Sequence, residues 1–285
     1  MPDRVAVIGA GVIGTSVAYS CAQAGRAVTL IDRPDKDWGE VRRALRRQQR
    51  LTRLTTAGAP AVDLDRIACS AELADAVDAG LVIENVVEDR DVKRAVHARL
   101  RDLGVTGAVI AVNTSAIPIA ELAAEAADPA LVVGVHFMNP VPAIDTVEVV
   151  RTPATSAATL EAIEDFLGTL GKRGVVVNDA PGFVINRILM VMVNQAAQLV
   201  DEGVASPHEI DQLFKGCLGH EMGPLRTADL IGLDTVVRTL EVLHEARQEP
   251  LFAPADRLRE LVGSGCLGMK AGRGFYGYGG GSRDA

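Results

Sequence analysis

The sequence predicts an α/β fold, a doubly wound parallel sheet, followed by an all-helical C-terminal domain. Three observations carry that expectation. Short apolar runs alternate with helical stretches from Arg4 to about residue 180. A glycine-rich turn joins the first run to the first helix. Beyond Pro181 no strand-like run is evident until Phe275. The expected domain boundaries are therefore 1–180 and 181–285.

Arg4-Val5-Ala6-Val7-Ile8 reads as a buried parallel strand, because after Arg4 no polar residue interrupts it. Val12 to Ala24 reads as a helix closed by Gly25. Ala27 to Ile31 is a second strand, and Trp38 to Leu54 an Arg-rich helix. Leu81–Glu84, Val109–Asn113, Leu131–Val135, Val147–Val150 and Val175–Val177 read as further strands, with helices near Arg90–Arg101 and Ser156–Leu170. In the C-terminal part, Val184–Asp201, His208–Leu218, Thr227–Glu245 and Pro254–Gly263 read as helices.

Composition narrows the functional classes. Hydrophobic residues make up 48% of 285, enough for a full core, so disorder is expected only in the last residues, 279–285. A formal net charge of −8 argues against non-specific nucleic-acid binding. No apolar run reaches the roughly 18 residues of a membrane helix. The strand pattern begins at Arg4, which leaves no room for a signal peptide, so a soluble cytoplasmic protein is expected. Cys21, Cys69, Cys217 and Cys266 are scattered without ligand spacing; they read as reduced thiols, and no metal is expected.

Gly9-Ala10-Gly11-Val12-Ile13-Gly14 is a G-x-G-x-x-G. On its own that is weak evidence. Here it follows a strand, opens a helix, and precedes a second strand ending in an acid, which is the Rossmann-type dinucleotide arrangement. Gly9 permits the tight turn, Gly11 the approach of a pyrophosphate, and Gly14 close helix packing. The N–H groups of the turn and first helical residues, Val12 and Ile13 among them, would face the phosphates. Asp32 lies 18 residues past Gly14, where a carboxylate accepts from the adenosine ribose hydroxyls and repels a 2′-phosphate. NAD is therefore expected rather than NADP, a preference that the adjacent Arg33 softens.

Asn113-Thr114-Ser115 follows the fourth predicted strand, His136-Phe137-Met138-Asn139-Pro140 follows the fifth, and Glu148 sits in the next. Strand ends of a doubly wound sheet face the ligand crevice, which brings Ser115 and His136 to the nicotinamide side. Together with Pro181-Gly182-Phe183-Val184-Ile185-Asn186-Arg187, these segments make the chain resemble the 3-hydroxyacyl-CoA dehydrogenase family from Val5 to Tyr278. The resemblance implies an NAD-dependent oxidation of a 3-hydroxyacyl thioester, or its reverse. It implies His136 as general base, Glu148 orienting it, and Ser115 and Asn186 placing the substrate. It also implies cofactor contacts from Glu88, Lys93, Ser115, Asn139 and Lys270, although Lys93 and Lys270 also read as plain solvated amines. Glu84 reads as a strand-end acid with a local hydrogen-bonding role. A homodimer is implied, with apolar stretches such as Ile188–Val193 and Leu230–Leu243 supplying its interface or else an internal core.

The chain departs from the family in places that bear on substrate. Between Asp32 and Leu81 the arm is short, and the family's coenzyme A contacts have no clear match. Instead Arg42, Arg46, Arg50 and Arg53 form a stripe at helical spacing, flanked by Arg43 and Arg47. Such a stripe suits the 3′-phosphate of coenzyme A, the acidic helices of an acyl carrier protein, or solvent alone. Val191 stands where the family usually has proline. His220-Glu221 and Leu225 replace the family's usual pattern, and this polar pair favours a short or polar acyl group if it faces substrate. Related enzymes in polyketide pathways act on carrier-bound hydroxyacyl groups. Two rival readings remain open: a dehydrogenase of free hydroxy acids of the sugar-acid or carnitine type, and a non-catalytic NAD-binding protein.

Overall fold

The structure is a computed structural model that describes residues 4–55 and 62–278. Residues 279–285, expected to be disordered, lie outside that range. The chain divides into two compact units, Met1–Ala180 and Pro181–Ala285.

The first unit carries eight strands: β1 (Arg4–Ile8), β2 (Ala27–Ile31), β3 (Ile67–Ser70), β4 (Leu81–Glu84), β5 (Val109–Val112), β6 (Val132–His136), β7 (Thr146–Arg151) and β8 (Arg173–Asn178). They form one sheet in the order β3-β2-β1-β4-β5-β6-β7-β8. Its helices are α1 (Val12–Gln23), α2 (Trp38–Thr55), α3 (Arg90–Asp102), α4 (Ile119–Ala123) and α5 (Ala157–Thr169). Alternation along β1 shows why both faces of the sheet need cover. Val5 and Val7 enter one apolar cluster with Val17, Tyr19 and Phe166. Ala6 and Ile8 enter another with Val82 and Leu100.

Three features differ from the sequence expectation. β3 has no predicted counterpart: Ala68-Cys69-Ser70 is weakly strand-forming, and parallel pairing to β2 holds it at the sheet edge. Every pairing in the sheet is parallel except β6–β7, so β7 and β8 both run against the other strands. The connection between β6 and β7, residues 137–145, is too short for the crossover that parallel pairing needs. The strand bearing His136 also ends one residue later than expected, so the imidazole sits on the ladder itself.

The second unit holds α6 (Ile185–Asp201), α7 (Pro207–Leu218), α8 (Pro224–Ile231), α9 (Leu233–Arg247) and α10 (Asp256–Gly263). Its core joins Met190, Val193, Leu225, Val236, Leu240, Leu243, Phe252 and Leu258. The single helix expected from Thr227 to Glu245 is two helices. Gly232, at φ 102°, turns the chain between them with a backbone conformation that side chains rarely adopt. Asp211 accepts from the N–H groups of Leu225 and Arg226 at the start of α8, both at 2.9 Å. The Tyr276 hydroxyl donates to Asp211 at 2.7 Å, and the Tyr278 hydroxyl donates to buried Asp229 at 3.0 Å, fastening the last described segment. Among the described residues, no helix is long and apolar enough to cross a membrane.

Candidate active site

The glycine turn is set by contacts that exclude side chains. Gly9 has φ +97°, and a Cβ there would stand 2.4 Å from the Asn85 carbonyl oxygen. A Cβ at Gly14 would stand 1.8 Å from the Gly9 oxygen. At Gly11 the opposite holds: a Cβ would meet nothing within 4 Å, and no side chain caps α1. The turn therefore offers open space and backbone N–H groups where a pyrophosphate needs both, so these residues fit a dinucleotide. Val12, the first helical residue, is exposed beside that space. Asp32 ties the turn to β2. Its Oδ2 accepts from Ala10 N at 2.6 Å and its Oδ1 from Arg33 N at 2.7 Å. Each oxygen retains a second lone pair for a ribose hydroxyl. The Lys36 ammonium lies 3.8 Å from the same carboxylate.

His136 and Glu148 are directly opposite residues in the antiparallel β6–β7 ladder. Side chains so placed share a face. The imidazole Nδ1 meets Glu148 Oε2 at 3.0 Å, and both residues are nearly buried. A carboxylate there accepts a hydrogen bond from Nδ1–H, which fixes the tautomer and leaves Nε2 as an acceptor. On that side stands the Ser115 hydroxyl, 3.3 Å away.

The segment carrying Ser115 is held by two acids. Glu88 Oε1 accepts from the Thr114 hydroxyl at 2.7 Å, Ser115 N at 2.9 Å and Ala116 N at 3.1 Å. Deeper in the unit, Lys93 donates to both oxygens of Glu84, at 2.8 and 3.1 Å, and to the Asn113 carbonyl at 2.9 Å. Lys93, Glu84 and His97 are completely buried together, with His97 Nε2 3.6 Å from Glu84. Burial alone would raise the Glu84 pKa, but His97 and Lys93 against it hold it below the ordinary carboxylate value. The Asn113 side chain completes the brace: Nδ2 donates to Asn85 Oδ1 at 2.9 Å, and Oδ1 accepts from Phe137 N at 3.1 Å, beside His136.

Other predicted contacts fall in varied settings. A direct cofactor contact or a solvated amine is expected at Lys93; the structure instead buries it, and its three ammonium protons already have three acceptors. Glu84 has the local role expected of it, accepting also from Val86 N at 2.7 Å. Asn139 is exposed in the 137–145 connection, which buried Lys172 pins by donating to the carbonyls of Val141 and Ile144. In the second unit, half-exposed Lys270 is ion-paired with Asp234, and Asn186 lies on the first turn of α6. Among the described residues, no group of three or more His, Cys, Asp or Glu side chains is arranged to hold a metal ion.

A dinucleotide turn and an oriented imidazole within one sheet unit define the class, a nicotinamide-dependent oxidoreductase. Residues 4–180 match the 3-hydroxyacyl-CoA dehydrogenase NAD binding domain, and residues 182–278 match the C-terminal domain of the same enzymes. The chain is 41% identical over 279 residues to a probable 3-hydroxybutyryl-CoA dehydrogenase of Deinococcus radiodurans, covering 96% of this chain and 100% of that one. It is 40% identical to the 3-hydroxybutyryl-CoA dehydrogenase of Bradyrhizobium diazoefficiens, with 96% and 95% covered. The crystal structure of FadB2 from M. tuberculosis superposes with a TM-score of 0.91 at 37% identity, covering 98% of this chain and 99% of that one. The (S)-3-hydroxybutyryl-CoA dehydrogenase PaaH1 from Ralstonia eutropha gives 0.90 at 36%, with 98% and 100% covered. The chain belongs to the 3-hydroxyacyl-CoA dehydrogenase family, and its cofactor is NAD.

Proposed function

We propose that the protein oxidises a short or polar 3-hydroxyacyl thioester to the 3-oxoacyl thioester with NAD, or runs the reverse. The observation that carries this reading is the His136–Glu148 pair with Nε2 turned to Ser115. The relatives named 3-hydroxybutyryl-CoA dehydrogenases support the substrate class.

When bound, NAD supplies the hydride acceptor, and the protein supplies alignment and proton handling. His136 Nε2 takes the proton of the substrate's 3-hydroxyl as the carbon–hydrogen bond is lost. Glu148 fixes the ring orientation and stabilises the imidazolium that forms. The Ser115 hydroxyl hydrogen-bonds the reacting oxygen, and Asn186 orients the thioester carbonyl. Glu88 and Lys93 act through the backbone of residues 113–116, keeping Ser115 in place. Gly9, Gly11, Val12, Ile13 and Gly14 hold the pyrophosphate, Asp32 the ribose, and Asn139 and Lys270 the remainder of the cofactor. His220 and Glu221, both exposed, favour a short or polar acyl group if they face the substrate. The thioester is carried on coenzyme A or on an acyl carrier protein.

The test is NADH formation from 3-hydroxybutyryl-CoA, free 3-hydroxybutyrate and a free sugar acid. The thioester is expected to exceed both free acids in kcat/KM by roughly a hundredfold or more, because the carrier's binding energy is used at the reacting carbon. A free acid that matches the thioester makes the free hydroxy-acid reading the better one. Absence of turnover with bound NAD would leave only the non-catalytic reading. Glu148→Gln is expected to lower kcat about a hundredfold with KM little changed, since the loss falls on the proton step.

A homodimer is part of this reading. Ile185, Ile188, Leu213, Leu218 and Leu230 are all exposed on the helical unit, apolar surface that a partner copy would cover. Sedimentation equilibrium is expected to give twice the chain mass; a monomer at micromolar concentration overturns it.

A further inference from the structure

We propose that the arginine face of α2 docks the acidic helical surface of a carrier protein that presents the hydroxyacyl thioester. This rests on the thioester reading and adds what delivers the substrate. Val41, Leu45 and Thr52 turn inward from α2, and Gln48 accepts from the Ser16 hydroxyl of α1 at 3.4 Å, so one side of the helix is committed to packing. On the other side Arg42, Arg43, Arg46, Arg47, Arg50 and Arg53 are all exposed. The helix contains one acid, Glu40, within a chain whose formal charge is −8. Like charges four residues apart repel, and Arg42, Arg46 and Arg50, like Arg43 and Arg47, stand at that spacing. Among the described residues, only Arg43 of the six has an acid in ion-pair contact, Asp37 at 3.4 Å.

Two further features select the partner. From Arg42 to Arg53 the row runs about 16 Å along the helix. A single phosphate engages two or three neighbouring guanidinium groups, so a 3′-phosphate leaves at least half of the row unused. A helix presenting carboxylates turn after turn matches the full length. Leu51 and Leu54 are 58% and 82% exposed near the C-terminal end of α2. Arginine around exposed apolar side chains is the composition of protein interfaces. The carrier's acidic helix supplies the complementary charge, and the encounter is steered by it.

The experiment uses the full chain with NAD and the double variant Arg46→Glu/Arg50→Glu, its fold checked by circular dichroism and by its melting temperature. The same 3-hydroxybutyryl group is offered on an acyl carrier protein and on coenzyme A. Reversing two charges is expected to lower kcat/KM for the carrier-bound substrate on the order of 30-fold, and for the coenzyme A substrate by less than about threefold. Added salt lowers the carrier rate of the parent protein and leaves that of the variant nearly unchanged. A loss confined to the coenzyme A substrate overturns the proposal in favour of a 3′-phosphate site, because carrier-bound phosphopantetheine has no such phosphate, and 3′-dephospho-coenzyme A then identifies it. An equal loss on both substrates overturns it in favour of a general effect of the helix on turnover. No loss on either overturns it in favour of a solvated face. If the parent turns over neither thioester, the functional reading fails by itself, and titration of the acyl carrier protein against parent and variant decides the docking. Binding that the variant loses upholds the surface; no binding by the parent overturns it.

Discussion

His136→Gln is expected to lower kcat about a thousandfold while leaving NAD affinity within a few-fold of the parent, as read by NADH formation and by a cofactor titration. Glutamine nearly fills the imidazole's space and still reaches hydrogen-bonding partners, but its amide accepts no proton at neutral pH. The glycine turn and Asp32 lie on other strands and loops, so cofactor binding is spared. The variant also leaves Glu148, only 6% exposed, without its imidazole partner. A stability loss of about 1–3 kcal/mol accompanies the kinetic one and must be measured beside it. Turnover that survives the change removes His136 from the base's role.

Lys93→Met is expected to cost about 3–5 kcal/mol, lowering the melting temperature by about 10 °C, because it strands the Glu84 carboxylate among completely buried neighbours. A surface lysine replaced in the same way would shift it hardly at all. Activity should fall too, since the Asn113 carbonyl loses its donor and the Ser115 segment loosens. Adding Glu84→Gln removes the stranded charge and should restore part of the stability, giving a large coupling energy in a double-mutant cycle. The sign with pH follows from Glu84. Its folded pKa lies below the ordinary value of 4.5, so its contribution is fully present above that value and is lost as pH falls through the lower, folded one. Acid unfolding of the parent should therefore be steeper than that of Glu84→Gln. Equal melting temperatures for Lys93→Met and the parent would mean the buried pair contributes nothing.

The sequence was most legible where chemistry demands a particular backbone. Gly9 and Gly14 admit no side chain, and Asp32 directly follows β2, so a local pattern reveals them. Ser115, His136 and Glu148 were found as motifs, yet their meeting depends on β7 running against β6, a direction that apolar Val147–Val150 does not encode. The solvated-amine reading of Lys93 fails for the same kind of reason. Nine positions separate it from Glu84, and only the packing of α3 on β4 shows that the amine points inward rather than to solvent. His97 and Thr114 gave no signal at all: one is a lone histidine in a charged helix, the other a threonine next to a more conspicuous serine. The break at Gly232 was hidden by apolar neighbours that continue the helical rhythm on both sides. β3 was missed because pairing with a neighbour, not its own residues, makes it a strand.

The ladder between β6 and β7 has a consequence for how this protein can change. Slipping it by one position would send the Glu148 carboxylate to the opposite side of the sheet and push Val147 or Val149 toward the imidazole. Burial of Val135, Val147 and Val149 penalises that slip, so the hydrophobic interior acts as the keeper of the imidazole's alignment. The hairpin segment that joins the two strands is released from that duty. Insertions at its exposed tip can change the local surface while the imidazole and its carboxylate stay in step.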